Sequence, residues 1–510
     1  MYGRVLGVSI LGVRGHVVTV EAHVGRGLPS LILTGLPGAP VQDARDRIRP
    51  AVEGAGLSWP MRRVVVNLAP GNLRKDGPGL DLPVAMGVLV ASAQVPAERL
   101  AGFAFAGELS LKGELLPTPG ILSVVIAAAR AGLRGVVVPA ANVGEAALVE
   151  GLQVIGASTL AEVVKYFRGT WRPGPAPAQP SPSAPSQAVD LAEVRGQAQA
   201  RRALEVAAAG GHNVLLIGSP GAGKTMLARR LPTILPGMTR AEALEVTQLH
   251  SVAGMLDGGG LRTERPFRAP HHSISVSALL GGGSSYPRPG EVSLAHHGVL
   301  FLDELTEFRR DAIEGLRQPL EDGRVLISRM AGAVEFPARF TLVAAANPCP
   351  CGFLGDPRRR CDCPDHRLQA YRGRLSGPLL DRIDIRLLVP RLSRRELLEE
   401  APGEPSAAVR ERVERARERQ RHRYRGTGVP CNAQLPGPLA RRLARVRPEA
   451  WELLAQAVDR MALTGRGFDR ALKVARTVAD LAGAEEVSPE HVTEALAYRM
   501  DLAQEPVGVG

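Results

Sequence analysis

Eight residues, Gly218-Ser219-Pro220-Gly221-Ala222-Gly223-Lys224-Thr225, read G-x-x-x-x-G-K-T, the spacing of a phosphate-binding loop. Glycines let backbone N–H groups close around phosphate oxygens, and a helix behind the loop adds the positive end of its dipole. In this pattern Lys224 reaches the β- and γ-phosphates of a nucleoside triphosphate, Thr225 holds Mg²⁺, and Met226 opens the helix. Further along, Gly298-Val299-Leu300-Phe301-Leu302 is an apolar run ending in Asp303 and Glu304. Asp303 fits the Mg²⁺-side carboxylate, and Glu304 fits the base that polarises an attacking water. A third apolar run, Phe340 to Ala346, ends at Asn347, whose side chain suits positioning that water. ATP and Mg²⁺ are therefore the expected cofactors, and ATP hydrolysis the expected reaction.

These residues need strands that end at one edge. Asn213 to Ile217 reads as a buried strand before the loop, and Met226 to Leu231 as a helix after it. Three such strands with helices between them predict a doubly wound parallel sheet, an α/β fold with the nucleotide at the carboxyl ends. Downstream, 393–425 and 436–505 read mainly as helices, and Ser488-Pro489 is a good helix start. A C-terminal helical lid follows from this. Upstream, 171–189, from Trp171 onward to Ala188, is rich in Pro, Ala and Ser and reads as an extended spacer. The segment before it alternates strands (Arg62 to Leu68, Gly135 to Val138) with helices (Asp81 to Ala93, Ile121 to Ala131) and a hairpin over Phe105 to Leu115. The expected organisation is 1–168, an N-terminal α+β domain; 169–189, linker; 190–400, the ATPase core; and 401–510, the lid.

With 45% hydrophobic and 22% charged residues over 510 positions, composition is that of a globular protein. No apolar run approaches the ~20 residues that cross a bilayer. The start, Met1-Tyr2-Gly3-Arg4, opens no signal-peptide pattern, so no membrane partner and a cytoplasmic location are expected. Net charge is +12 and the pI about 10.0, which favours a polyanionic partner. An arginine-rich surface explains the same balance. The run of Arg and Glu from Arg410 to Arg425 fits a solvated helix as well as a nucleic-acid contact.

Several runs are similar to those of one family. They are Leu68-Ala69-Pro70, Asp76-Gly77-Pro78, Asp81-Leu82-Pro83, Arg268-Ala269-Pro270-His271-His272, Gly290 to His296, Asn347-Pro348-Cys349-Pro350-Cys351-Gly352 and Gly377 to Asp384. Together they resemble the ComM/YifB family of magnesium-chelatase-like AAA+ proteins over nearly the whole chain apart from the linker. The resemblance implies an N-terminal domain with the fold of the Lon protease domain and an AAA+ module with helix-2 and pre-sensor-1 insertions. It also implies a hexameric DNA helicase promoting branch migration during natural transformation, with single-stranded or branched DNA as partner. By the same resemblance Asn347 is the sensor-1 residue, and Arg382 the arginine finger reaching a neighbour's γ-phosphate. Arg466, in Thr464-Gly465-Arg466, is sensor-2. The family more often has Ser-Ala-Arg there, which makes Arg470 the alternative. The structural reading of Arg382 is an ion pair with Asp381 or Asp384.

Lon-type proteases pair a serine with a lysine base. Here Gly79 stands where the Lon pattern has its serine and Leu122 where it has its lysine, so no proteolysis is expected. Ser123 and Lys112 lie near in sequence without further support for a rebuilt dyad. Cys349-Pro350-Cys351 and Cys361-Asp362-Cys363 form two C-x-C pairs, a candidate structural Zn²⁺ site of four thiolates; a reduced cluster or a redox pair is the other reading. Glu321 to Arg329 reads as the start of a hairpin that lines the pore in related rings, where Arg324 and Arg329 would hold phosphates. In the glycine-rich stretch Leu279 to Pro287, Tyr286 could stack on a base. The alternative for both segments is a subunit contact. His271, His272, His296 and His297 have no acidic or cysteine partner at ligand spacing, so hydrogen-bonding or subunit roles are expected. Two other functional classes remain: a chelatase-type motor, which would need a partner with a metal-binding domain, and a protein-remodelling ATPase without a DNA substrate.

Overall fold

The computed structural model describes residues 1–75, 78–174, 189–256, 260–283, 287–329, 332–375, 377–393, 396 and 403–499. Two sheets organise them. In the first, alternating apolar residues build a long hairpin of β1 (Tyr2–Leu11) and β2 (Arg14–Val24). It is extended by β3 (Ser30–Thr34), β4 (Arg63–Ala69), β5 (Phe103–Phe105), β8 (Gly135–Pro139) and β9 (Gln153–Ala157), in the order β3-β4-β2-β1-β5-β8-β9. A small separate hairpin, β6 (Glu108–Leu109) and β7 (Leu115–Leu116), forms where Lys112-Gly113 predicts a turn, although Phe105 itself belongs to the main sheet. The helix Asp81–Ala91 is buried along its whole length, as its uncharged sequence after Asp81 requires. Asp81 accepts hydrogen bonds from Arg47 Nε and Nη2 and one from the Leu109 N–H (3.2 Å), tying that helix to its neighbours.

The second sheet is parallel throughout: β11 (Phe267–Arg268), β14 (Val299–Leu302), β17 (Thr341–Ala346), β10 (Val214–Ile217) and β18 (Ile385–Leu388), in that spatial order. Its central strands are apolar without alternation because both faces are covered. Val214, Leu216, Val299, Phe301, Val343 and Ala345 face a core shared with the helices Ala198–Gly210 and Lys224–Ile234 and the C-terminal helices. Leu215, Ile217, Leu300, Leu302, Leu342 and Ala344 face a second core. That core includes the hairpin of β15 (Arg324–Arg329) and β16 (Gly332–Pro337), through Val325, Ile327, Val334 and Phe336. The glycine-rich stretch is flanked by a two-residue pair, β12 (Gly281–Gly282) and β13 (Arg288–Pro289).

C-terminal helices Ser406–Arg423, Gly437–Leu443, Pro448–Arg460, Gly465–Ala482 and Pro489–Ala497 pack on the first face of this sheet. The arginine-rich run lies in the first of them, and much of it is used internally. Arg412 pairs with Glu205 and Glu404, Arg423 pairs with Asp480, and Arg410, Arg417 and Arg419 donate to the carbonyls of Thr233, Ala208 and Asp480. The Pro-rich stretch 175–188 lies outside the described residues.

The two sheets meet through the β1–β2 turn. Leu11 and Val13 pack against the second core, and a Cβ at Gly12 would come within 2.7 Å of Val334 on the hairpin. Gln248, on the helix Arg240–Val252, donates to the Val13 carbonyl (2.6 Å) and Ser123 Oγ (3.1 Å). Gly120 N–H donates to the Ser251 carbonyl at 3.0 Å, and Ser251 Oγ to Glu145. Among the described residues no helix is long and apolar enough to cross a membrane.

Candidate ATPase site

The carboxyl ends of β10, β14 and β17 deliver the chemistry-bearing residues to one edge. Beyond β10, Gly223 adopts φ +92, a left-handed conformation open to glycine, and starts the helix Lys224–Ile234. Thr225 Oγ1 donates to Asp303 Oδ2 at 2.7 Å, so the Thr and the Asp supplied by different strands share one position. Lys224 Nζ donates to the Gly218 carbonyl (2.5 Å), the Ser219 carbonyl (3.1 Å) and Asn347 Oδ1 (3.1 Å). Burial pushes this ammonium below the usual lysine range, opposed by the carboxylates of Asp303 and Glu304. Glu304 takes φ +51, a conformation that costs a residue with a Cβ about 1 kcal/mol or more. Its carboxylate stays open to solvent, 3.6 Å from His272 Nδ1.

Three separated segments (Gly218 to Met226, Asp303-Glu304 and Asn347) thus converge at one edge. This donor set fits a magnesium nucleotide: one ammonium, a hydroxyl paired with a carboxylate, and a helix N-terminus aimed at the same edge. His272 was not assigned to Glu304 by sequence reasoning, because 32 residues separate them and no spacing rule joins them.

Arg382 sits elsewhere. It precedes β18, whose entry is fixed by hydrogen bonds from the Asp384 and Ile385 N–H groups to the Asn213 carbonyl, at the start of β10. It is therefore at the amino end of the sheet. Four residues of strand, about 13 Å, separate that end from the phosphate loop of the same subunit. Its side chain is 5% exposed and pairs with Glu321, not with Asp381 or Asp384. Asp384 instead holds Arg470 (2.6 Å) and the Asn213 N–H (3.1 Å). Arg466, 60% exposed, lies 3.6 Å from the same Glu321 oxygen as Arg382, so it too belongs to the amino edge.

The four clustered thiols come together beside the phosphate loop. Cys349 and Cys351 Sγ are 3.3 Å apart, and Cys361 lies 3.6 Å from each. With Cys363 all four sulfurs lie within 4.8 Å of one another. A tetrahedral Zn²⁺ with bonds of about 2.3 Å sets sulfurs about 3.8 Å apart, so the cluster fits such an ion. Gly352 rests against Pro220, and Asp356, in the intervening loop, hydrogen-bonds Ser219.

A second polar cluster was not legible from spacing. Glu245 accepts from His296 Nε2 (3.0 Å) and His297 Nε2 (2.9 Å), the acid coming from the helix Arg240–Val252. His296 Nδ1 accepts the Arg339 N–H at 2.9 Å, which leaves its proton on Nε2, facing Glu245. A metal would need that nitrogen bare, so the pair serves hydrogen bonding. Arg324 pairs across the hairpin with Glu335 at 3.0 Å, both exposed. Tyr286 and the side chain of Arg329 lie outside the described residues.

Neither Gly79 nor Leu122 carries a nucleophile or a base. Leu122 is fully buried, with its N–H donating to Glu145 at 2.7 Å. Ser123 Oγ donates to the Val13 carbonyl at 2.8 Å, while Lys112 is exposed in a turn. Asp76 and Gly77 lie outside the described residues.

Three family descriptions match the chain: "Magnesium chelatase, subunit ChlI" at residues 190–397, "Subunit ChlI of Mg-chelatase" at 20–142, and "Magnesium chelatase, subunit ChlI C-terminal" at 403–499. An uncharacterized protein of Mycobacterium tuberculosis is 48% identical over 98% of this chain and 99% of its own length. YifB of Escherichia coli, itself uncharacterized, and the competence protein ComM of Haemophilus influenzae are each 42% identical over 96% of both chains. A Lon protease of Dictyoglomus thermophilum is 32% identical over 126 residues, 23% of this chain and 16% of the protease. With a Lon-like N-terminal region, a parallel-sheet ATPase core and helices packed on it, the chain belongs to the YifB/ComM family of magnesium-chelatase-like AAA+ ATPases.

Proposed function

We propose that this protein is an ATP-driven motor that acts on DNA as a closed ring, a hexamer, promoting branch migration when incoming DNA recombines during natural transformation. The observation that carries the ring is the division of the site across the sheet. Lys224, Thr225, Asp303, Glu304 and Asn347 meet at the carboxyl edge, while Arg382 stands at the amino edge, beyond reach of its own phosphate loop. An arginine so placed completes a neighbour's site. Support for DNA is the near-full-length likeness to a competence protein, the +12 net charge and a hairpin carrying Arg324 on an exposed face.

When bound, ATP supplies the phosphoanhydride that is cleaved, and Mg²⁺ neutralises charge on its oxygens. Gly218 to Met226 cradle the phosphates, with Lys224 as the cation. Thr225 and Asp303 hold the metal, Glu304 takes the proton of the attacking water, Asn347 orients that water, and Arg382 with Arg466 stabilises the neighbour's transferring charge. Cys349, Cys351, Cys361 and Cys363 hold a structural Zn²⁺ that orders the loop against Pro220. A cytoplasmic location suits thiolates that must stay reduced. With Gly79 and Leu122 at the dyad positions, the N-terminal domain is a docking module and not a protease. The test is ATP turnover against a panel of single-stranded, duplex and branched DNA. Turnover indifferent to all three refutes the DNA reading and leaves the chelatase or protein-remodelling alternatives.

A further inference from the structure

Both arginines at the amino edge converge on a single carboxylate. Glu321 Oε1 accepts from Arg382 Nη2 and lies 3.6 Å from Arg466 Nη2. Arg466, Arg317 and Arg470 lie close enough to Arg382 to oppose its charge. Glu321, half exposed, therefore counters Arg382 and Arg466, while Arg470 is held by Asp384. Arg382 is poorly satisfied in this position. Its Nη1 donates to the Pro378 carbonyl at 2.6 Å, but its buried Nε has no hydrogen-bond partner among the described residues. A guanidinium that leaves an N–H unmet when retracted gains from moving to a phosphate that accepts the whole fork.

Glu321 is also the link to the hairpin. It lies in the last turn of the helix Arg317–Asp322, and β15 starts three residues later at Arg324. The base between them is clamped, with the Ala338 N–H donating to the Gly323 carbonyl at 2.8 Å. A displacement of the hairpin therefore drags the Glu321 carboxylate with it.

We propose that Glu321 is a positioning residue, a latch that holds Arg382 and Arg466 retracted until the hairpin moves, and so makes arginine delivery to the neighbouring subunit depend on the hairpin's ligand. The inference rests on the reading of Arg382 as a finger acting in trans. Glu321 touches no nucleotide. It sets the fraction of subunits whose arginines are free, which bears on kcat and leaves ATP binding by the phosphate loop alone.

The experiment is steady-state ATP turnover of the full-length protein with and without a single-stranded oligonucleotide. Wild type is compared with Glu321→Gln, Glu321→Asp, Arg382→Ala and the double variant Glu321→Gln/Arg382→Ala. Glu321→Gln keeps the shape and removes the charge. It should raise basal kcat about threefold or more, hold KM for ATP within about twofold, and bring the stimulation by DNA close to one. Glu321→Asp keeps the charge but shortens the reach, and should move the same quantities the same way by less. It also serves where the Gln variant does not fold. In the double variant the gain must vanish, leaving the rate of Arg382→Ala. Basal kcat of Glu321→Gln at or below wild type, or a gain that survives in the double variant, overturns the latch. Undiminished turnover in Arg382→Ala refutes the finger reading and the latch with it. A wild type indifferent to DNA refutes the DNA reading alone, and the basal rates still decide the latch.

Discussion

Replacing Arg382 by Ala separates a shared catalytic site from a self-contained one. The side chain is almost wholly buried, yet its counter-ion Glu321 is half exposed and can hydrate when the guanidinium is gone. The Pro378 carbonyl loses one donor, a cost to folding of about 1 kcal/mol. The fold should therefore survive, and nucleotide binding with it, since the phosphate loop lies at the other edge of the sheet. Hydrolysis should fall by about 10³-fold or more, equivalent to about 4 kcal/mol of transition-state stabilisation. The decisive assay mixes this variant with Lys224→Ala. Each is inactive alone, but an Arg382→Ala subunit still offers an intact phosphate loop, and a Lys224→Ala subunit still offers an intact finger. In a closed ring with random incorporation at equal amounts, about a quarter of the interfaces join the two intact halves and regain turnover. A mixture as inactive as its components, with subunit exchange demonstrated by labelled protein, refutes action in trans and removes the argument for the ring.

Lys224→Ala and Glu304→Gln should both stop turnover but part in binding: the first lowers nucleotide affinity, and the second retains ATP, so equal affinity losses measured by fluorescent nucleotide would contradict the assigned roles. Freshly reduced protein should carry about one zinc per chain, and chelation should expose the segment 349–363 to hydrogen exchange; substoichiometric metal removes that site. Burial pushes the His296 pKa down to about 4, below its unfolded value of 6.5. The unfolded state then binds the extra proton, so stability falls as pH drops from about 6.5 towards 4, by at most about 3 kcal/mol. His250, also pushed down to about 4 by burial, adds to the same slope. His296→Gln should flatten the pH dependence of the thermal midpoint between pH about 7.5 and 5, and a slope equal to wild type contradicts the assignment.

What could be seen in the sequence was whatever is local. The phosphate loop, the acids after β14 and the Asn after β17 each follow an apolar run, and a parallel sheet buried on both faces must bring such run-ends to one edge. Outer strands were harder. β11 has two residues, and β18 lies within Asp384-Ile385-Arg386-Leu387-Leu388, where Arg386 interrupts the apolar pattern. The β1–β2 hairpin carries clear alternation, but its turn Gly12-Val13 gives no hint that it seats against a second domain. Partnerships between distant segments were invisible for the same reason. Glu245 with His296, Glu321 with Arg382, and His272 with Glu304 are matters of packing, and pattern rules reach only a few residues along a helix or across a turn. The alternative reading of Arg382, an ion pair with Asp381 or Asp384, failed on that ground, because adjacency in sequence on a tight turn does not place side chains face to face.

Arg382 and Lys224 lie at opposite ends of the same sheet, and that geometry constrains any mechanism more than either residue does. In the proposed ring, where the carboxyl edge holds one nucleotide and the amino edge serves the next, both edges belong to one parallel sheet. The hairpin β15–β16 shares its core with the sheet through Val325, Ile327, Val334 and Phe336, and it is held from outside by Gly12 and Val13 of the N-terminal domain. A polyanion pulling on Arg324 must first break the exposed pair with Glu335, which costs less than about 1 kcal/mol. The strain then passes to the clamped base at Gly323 and to the carboxylate of Glu321. In the proposed ring the N-terminal domain thus sets how far the hairpin travels, the hairpin sets whether Arg382 is free, and Arg382 sets whether the neighbour hydrolyses. Coupling between subunits then requires no contact between the polyanion and any nucleotide, only one carboxylate placed between the hairpin and two arginines.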